Sequence, residues 1–248
     1  MKKILKRVLI GIGIIVVLLL IVSVGFFLKF KSETKGMHPV PTGRIVENII
    51  SVNDSFVNMF LVKDSDQYIA IDAGNSLDAI SGELKKLSIN PDKVVAVFLT
   101  HTDRDHVAAL KLFKNARTYI SRPEEQMLNG QKSKFLFFSN HIYPKEYSLL
   151  EDQQILNIGN TKIQGILTPG HTSGSMCYLI NDKYLFTGDA MGLKDGKIGM
   201  FVKFFNMDSK TAQGSIRKIT NLKGVKYIFT AHNGYSSDYY YAVKDWKD

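Results

Sequence analysis

The chain has 248 residues, 45% hydrophobic and 22% charged, the balance of a globular domain with no disordered bias. Its formal net charge of +9 is partly local: Lys2, Lys3, Lys6, Arg7 and Lys29 flank the first apolar stretch, and without them 27 basic residues face 23 acidic ones. That mild excess, with no block of like charge, excludes a nucleic-acid groove from the expected partners.

Val8 to Leu28 is a run of 21 residues without a charge. As a helix it rises about 31 Å, close to the roughly 30 Å hydrocarbon core of a bilayer. A cleaved signal peptide is the competing reading, for which Ser23 and Gly25 form a weak small-x-small pattern; against it, the run is longer than the usual apolar region of such a peptide, and no A-x-A-like cleavage site follows it. Residues 1–29 therefore read as a transmembrane signal-anchor, with the lipid bilayer as partner of residues 8–28. The larger share of basic residues before the run predicts an inside N-terminus and an extracytoplasmic domain at the cell membrane. Residues 30–43 read as a linker, broken by Gly36, Pro39, Pro41 and Gly43.

Residues 44–248 alternate in type. Strand-like runs are SFVNMFLV, QYIAID, KVVAVFLT, RTYIS, TKIQGILT, SMCYLI, KYLFTG and VKYIFT. Helix-like stretches are 77–87, 106–113, 123–128, 209–222 and 237–246. The segments 94–99 and 225–229 are apolar almost throughout, as in strands covered on both faces. This is an α/β domain. The single cysteine, Cys177, lies in SMCYLI and reads as a small buried hydrophobe.

The stretch LTHTDRDHVAAL, residues 99–110, leaves the third of these strands with two histidines and two aspartates in six positions. In an extended segment alternate side chains point the same way, so His101, Asp103 and Asp105 face one point while Thr102 and Arg104 face away. His106 then opens a helix and adds a second imidazole. Such groups crowd together cheaply only around a cation or within hydrogen bonds; the plainer alternative is a solvated loop whose Asp105 caps the next helix. Three more strand ends present ligand types: His171 after ILTPG, Asp189 after YLFTG and His232 after YIFTA. Four of the six histidines fall in these loops; His38 and His141 do not.

This order and spacing resemble the metallo-β-lactamase-fold superfamily over residues 44–235. The resemblance implies an αβ/βα four-layer sandwich of two mixed β-sheets with outer helices, here preceded by one transmembrane helix. It implies one metal on His101, Asp103 and His171, a second on Asp105, His106 and His232, and Asp189 bridging both. Asp72, in IDAG, matches a supporting aspartate, and His171 to Ser175 match an HTxGS-like loop. Two divalent ions are expected, zinc first, with iron or manganese as alternatives. The chemistry implied is hydrolysis of an ester, lactone, phosphodiester or amide in a small-molecule or cell-envelope substrate, by a water acidified between two cations.

The sequence departs from the common H-x-H-x-D-H pattern at Asp103, which reads H-x-D-x-D-H. A carboxylate there hardens the site toward manganese or iron, and flavodiiron relatives carry a glutamate at this position. Asp189 stands where β-lactamases of the common zinc class carry cysteine, which argues against dedicated antibiotic hydrolysis. Asp105 and Tyr235 are the candidate catalytic residues, with Asn233 beside Tyr235 as an oxyanion donor. The apolar connection 196–207, with Lys203, either lines the pocket or covers the core. The competing classes are an iron redox protein, short of the flavodoxin module its relatives carry, and a non-catalytic metal-binding module.

Overall fold

The computed structural model describes residues 2–134, 140, 142, 144 and 146–246; His141 lies outside them. The chain divides into two units, residues 1–37 and 38–248. The first holds helix α1 (Lys2–Thr34), which has no buried residue. By length and composition it is able to cross a membrane, an 18-residue stretch of it reaching a mean hydropathy of 3.2. The helix passes the expected end at residue 29, because no proline interrupts it before Gly36. The expected linker is correspondingly shorter. Its last residues are held to the domain, Val40 N–H donating to Asn58 Oδ1 (2.7 Å) and Ser51 Oγ to the Pro41 carbonyl (2.5 Å).

The second unit begins with β1 (Gly43–Val46), β2 (Ile49–Asp54), β3 (Val57–Asp64) and β4 (Gln67–Ile71), an antiparallel meander. Helix α2 (Leu77–Lys86) then leads to β5 (Val94–Phe98). The short helix α3 (Arg104–Val107) precedes β6 (Arg117–Ser121), and α4 (Glu125–Leu128) precedes β7 (Tyr147–Leu150). From β4 to β7 the pairing is parallel, so the seven-stranded sheet is mixed. The second sheet takes β8 (Ile155–Ile158), β9 (Thr161–Leu167), β10 (Met176–Ile180) and β11 (Tyr184–Phe186). After a hairpin of β12 (Gly192–Lys194) and β13 (Lys197–Gly199) come α5 (Ser209–Thr220), β14 (Tyr227–Phe229), β15 (Tyr235–Ser236) and α6 (Tyr239–Val243). Its strand order is β15-β14-β11-β10-β9-β8, antiparallel except for the β11–β14 pair.

Period-two alternation divides the apolar residues among three layers. On β3, Phe60 and Val62 enter the layer between the sheets, while Met59 and Leu61 face outward under Ile80 and Leu84 of α2. On β5, Ala96 and Phe98 go inward, Val97 and Leu99 outward. On β10, Met176, Tyr178 and Ile180 go inward; Cys177 and Leu179 face outward, in a cluster with Ile216 and Ile219 of α5. Cys177 is fully buried, and burial pushes its thiol up to about 12, an inert hydrophobe as expected.

Two differences from the sequence reading bear on the site. The helix expected over 106–113 is a single α turn, α3, beginning at Arg104, with a separate 3-10 turn at Leu110–Leu112 after it. The N–H groups of Ala108 and Ala109 donate to the carbonyls of Gly74 and Ala73 (both 3.0 Å), so the turn is captured by the loop after β4. Asp103 sits at the N-cap of α3 but its side chain caps nothing there, and it is free to face elsewhere. Strands β9, β11 and β14 run in one direction, so their C-terminal ends deliver His171, Asp189 and His232 to one edge of the sandwich.

Two of the ligand-bearing loops are clamped by a residue that sequence reasoning missed. Glu124 is fully buried. It accepts from Thr102 N–H (3.0 Å) and Thr102 Oγ1 (2.8 Å), and from Thr172 Oγ1 (2.7 Å) and Gly174 N–H (2.9 Å). The loop of His101 and Asp103 is thereby joined to the loop of His171. Gly174 is required at this contact, since a Cβ there would stand 2.2 Å from Glu124 N. Glu124→Ala strands two buried backbone N–H groups, which should cost more than about 2 kcal/mol. Glu124→Gln, keeping one acceptor oxygen, should cost less. Thermal and urea unfolding of both variants check this, and equal, near-zero losses would contradict the clamp.

Candidate metal centre

The seven predicted ligands converge on two adjoining points. In the first set, His101 Nε2 and His171 Nε2 lie 3.4 and 3.1 Å from Asp103 Oδ2, and 4.0 and 3.3 Å from Asp189 Oδ2. In the second set, His106 Nε2 and His232 Nε2 lie 3.7 and 3.5 Å from Asp105 Oδ2, and 3.5 and 3.1 Å from Asp189 Oδ1. Asp189 thus divides its two oxygens between the sets. Ligand atoms about 2.0–2.2 Å from a tetrahedral ion stand roughly 3.3–3.5 Å from one another, and these separations match.

The other ring nitrogen of each histidine is held from outside. His106 Nδ1 donates to Asp72 Oδ2 (2.9 Å), His232 Nδ1 to the Phe56 carbonyl (2.7 Å) and His171 Nδ1 to Asn206 Oδ1 (3.2 Å). His101 Nδ1 pairs with Thr100 Oγ1 (3.1 Å), whose own hydroxyl donates to Asp72. These contacts leave Nε2 of all four rings aimed inward, the arrangement metal-binding imidazoles adopt. Asp72, expected as a support, also accepts from Thr100 N–H (2.7 Å) and adopts a left-handed φ of 62°, strain of the kind found at functional sites. Gly188, at φ +50°, lets Asp189 turn in; a Cβ there would meet Thr100 Oγ1 at 2.4 Å.

The donors fit divalent ions. His101 Nε2, His106 Nε2 and Asp189 Oδ1 are buried and make no hydrogen bond among the described residues, a costly condition that cations relieve. Burial holds the His101 imidazole down at about 3, so its lone pair is available across the physiological range. Burial also opposes the charge on His106, yet the Asp189, Asp72 and Asp105 carboxylates outweigh it and raise that ring well above the ordinary imidazole range. His232 is raised in the same way, chiefly by Asp189 against burial.

The remaining candidates divide. Asp105 belongs to the second set. Tyr235 is not brought to the centre: it lies on β15, 40% exposed, with its ring stacked on Phe229 at 5.6 Å. Asn233 N–H donates to Thr230 Oγ1 (3.1 Å) within the turn, and its Oδ1 lies against Gly192. In the connection 196–207, Phe201 is buried and packs on the ligands themselves, stacked on His232 at 5.3 Å and edge-on to His171 at 5.5 Å. Lys203 is exposed. Lys134 and Asn140, which the sequence reading passed over, both reach Asp103.

The family model for the metallo-beta-lactamase superfamily matches residues 52–232. The chain is 32% identical over 151 residues to the "Probable metallo-hydrolase MJ0296" of Methanocaldococcus jannaschii, covering 61% of this chain and 63% of that one. It is 34% identical over 138 residues to the "Probable polyketide biosynthesis zinc-dependent hydrolase PksB" of Bacillus subtilis, covering 53% and 54%. It therefore spans less than two thirds of the length of these curated relatives. Among solved structures, a B3 metallo-beta-lactamase with an active-site glutamic acid superposes with a TM-score of 0.63 at 18% identity, covering 85% of this chain and 86% of that one.

The raised pKa values of His106 and His232 set a pH dependence. In protein stripped of metal, both rings retain protons below their raised values, and an ion binding through Nε2 must expel them. Metal binding near neutral pH should release up to about two protons, fewer as the pH rises through the raised values, with affinity rising alongside. Calorimetric titration in buffers of different ionisation enthalpy measures this release. Heats that are independent of buffer at neutral pH would contradict it.

Proposed function

The chain belongs to the metallo-beta-lactamase superfamily, and from that premise we propose that it is a dinuclear metal-dependent hydrolase anchored to the cell membrane by α1, with its domain outside. The observation that carries the reading is the Asp189 carboxylate, one oxygen toward His101, Asp103 and His171 and the other toward Asp105, His106 and His232. Two divalent ions bound there supply Lewis acidity and acidify a water for attack on an ester, lactone, phosphodiester or amide.

The protein's own contribution is placement. Asp189 sets the spacing of the two sets, and Asp105 and Asp103 each add an anion to one of them. Asp72 and the Phe56 carbonyl fix the rings of His106 and His232. Phe201 and Phe56, stacked on His232, form an apolar wall that keeps bulk water from that side of the centre and suits an uncharged part of a substrate. Zinc is the favoured ion, in keeping with the two imidazoles in each set and the zinc dependence named for the Bacillus subtilis relative. Asp103, in the cluster and not turned away, favours iron or manganese as the competing reading.

Full-length protein from metal-supplemented cultures should carry two ions per chain and cleave at least one of a panel of chromogenic esters, phosphodiesters and cephalosporins. It should also stay with the membrane fraction after carbonate washing. Asp189→Ala should lose both ions and the activity. One ion per chain under replete conditions, or an Asp189→Ala variant with full metal content, contradicts the dinuclear assignment; a mature chain beginning near residue 26 contradicts the anchor.

A further inference from the structure

The two halves of the centre differ in what the protein itself places against them. Lys134, whose side chain is only 5% exposed, donates through Nζ to Asp103 Oδ2 and lies 2.7 Å from His171 Nε2. Asn140 Nδ2 donates to Asp103 Oδ1 (2.6 Å). Both residues come from the connection between α4 and β7. An ammonium offers three donors and no acceptor, so His171 Nε2 meets it with its lone pair; the opposite nitrogen donates to Asn206. That is the tautomer a metal ion requires. A cation already sits where the first set would hold one.

The second set is different. His106 Nε2 and Asp189 Oδ1 are buried without a hydrogen bond among the described residues, and the ion-pair contacts of His232 Nε2 and the partly exposed Asp105 carboxylate are, among the described residues, with other members of the centre. No lysine or arginine contact to this set is found among the described residues; the protons that a metal must expel from His106 and His232 leave freely to water, whereas the Lys134 ammonium is tethered to the chain.

We infer that Lys134 is a built-in cation of the Asp103 half, competing there with a metal ion, so that the two halves load in order: the Asp105, His106 and His232 half first and tightly, the Asp103 half second and weakly. This rests on the reading of the seven side chains as a metal centre. The exclusion is steric and electrostatic together. Lys134 Nζ and an ion would draw on the same Asp103 Oδ2 and His171 Nε2 lone pairs, and two cations cannot share them. Asp103 makes the competition possible. A neutral imidazole at that position would accept from the ammonium only weakly, whereas a carboxylate attracts Lys134 and the metal alike. One residue difference thus creates both a harder metal site and its internal competitor.

The test is zinc titration of full-length, metal-stripped protein in detergent, followed by calorimetry and by metal analysis after dialysis, with no assay of activity. Wild type should bind one ion tightly and a second at least about tenfold more weakly, a gap of about 1.4 kcal/mol. Lys134→Met should strengthen the second affinity by about tenfold or more and leave the first within about twofold. Lys134→Arg, which keeps the charge, should keep the weak second step and serves if the methionine variant does not fold. Two equal affinities in wild type, or a second affinity unmoved in Lys134→Met, overturn the inference while leaving the metal centre standing. Absence of any metal binding by wild type overturns both.

Discussion

Everything at the open edge of this sandwich answers to one constraint: four imidazoles and three carboxylates share a small and mostly dry volume. Such a cluster is tolerable only if its charges are compensated at short range, because desolvation penalises every ionised group that water cannot reach. The protein compensates from outside through Asp72, Thr100, Asn206 and the Phe56 carbonyl, which fix the far nitrogens of the rings. It leaves the near atoms of His101, His106 and Asp189 without hydrogen bonds among the described residues. Protons on His106 and His232, and an ammonium beside Asp103, are the substitutes that protein chemistry provides; divalent ions are the better fit.

The fold serves this cluster by bringing strand ends to one side. Parallel running of β9, β11 and β14 places three ligands in register, and β5 in the other sheet brings four more. The two sheets must then hold position to within a fraction of an ångström for Asp189 to span the sets. Phe98, Tyr178, Phe186 and Phe229 fill the layer between them, and the Tyr178 hydroxyl donates across it to the Leu99 carbonyl (2.8 Å), two residues before His101. Glu124, itself buried, joins the loop of His101 and Asp103 to the loop of His171. Packing, hydrogen bonding and site geometry are here one problem.

Much of this was legible in the sequence, and for identifiable reasons. His101, Asp103, Asp105 and His106 are neighbours in the chain, so their convergence follows from backbone direction alone. His171, Asp189 and His232 each follow an apolar strand and a small or turn-forming residue, a pattern visible locally. The strands β1, β2, β7, β8, β12, β13 and β15 are not foreseen, since they are short or carry polar residues such as Ser51 and Asn53, and they owe their form to pairing with other strands. The helix after His106 was overestimated because its end is decided by Gly74 and Ala73, more than thirty residues away in sequence. Glu124 is invisible for the same reason: in RPEEQ it looks like a surface carboxylate, and only the approach of Thr172 and Gly174 buries it. Lys134 stands in the connection NGQKSKFLFFSNHIYPKE, whose composition says nothing of Asp103. Tyr235 was misjudged as a neighbour of the site because it follows His232 closely, but the turn at Gly234 lays its ring back on Phe229.

The account turns on Asp189 bridging two ions, and anomalous diffraction from crystals of zinc-loaded protein tests that directly. Two peaks should appear about 3.5–4 Å apart, one beside each oxygen of Asp189, with Asp103 among the ligands of the peak at His101 and His171. A single peak at full zinc saturation, or two peaks with Asp189 bound to only one of them, would contradict it.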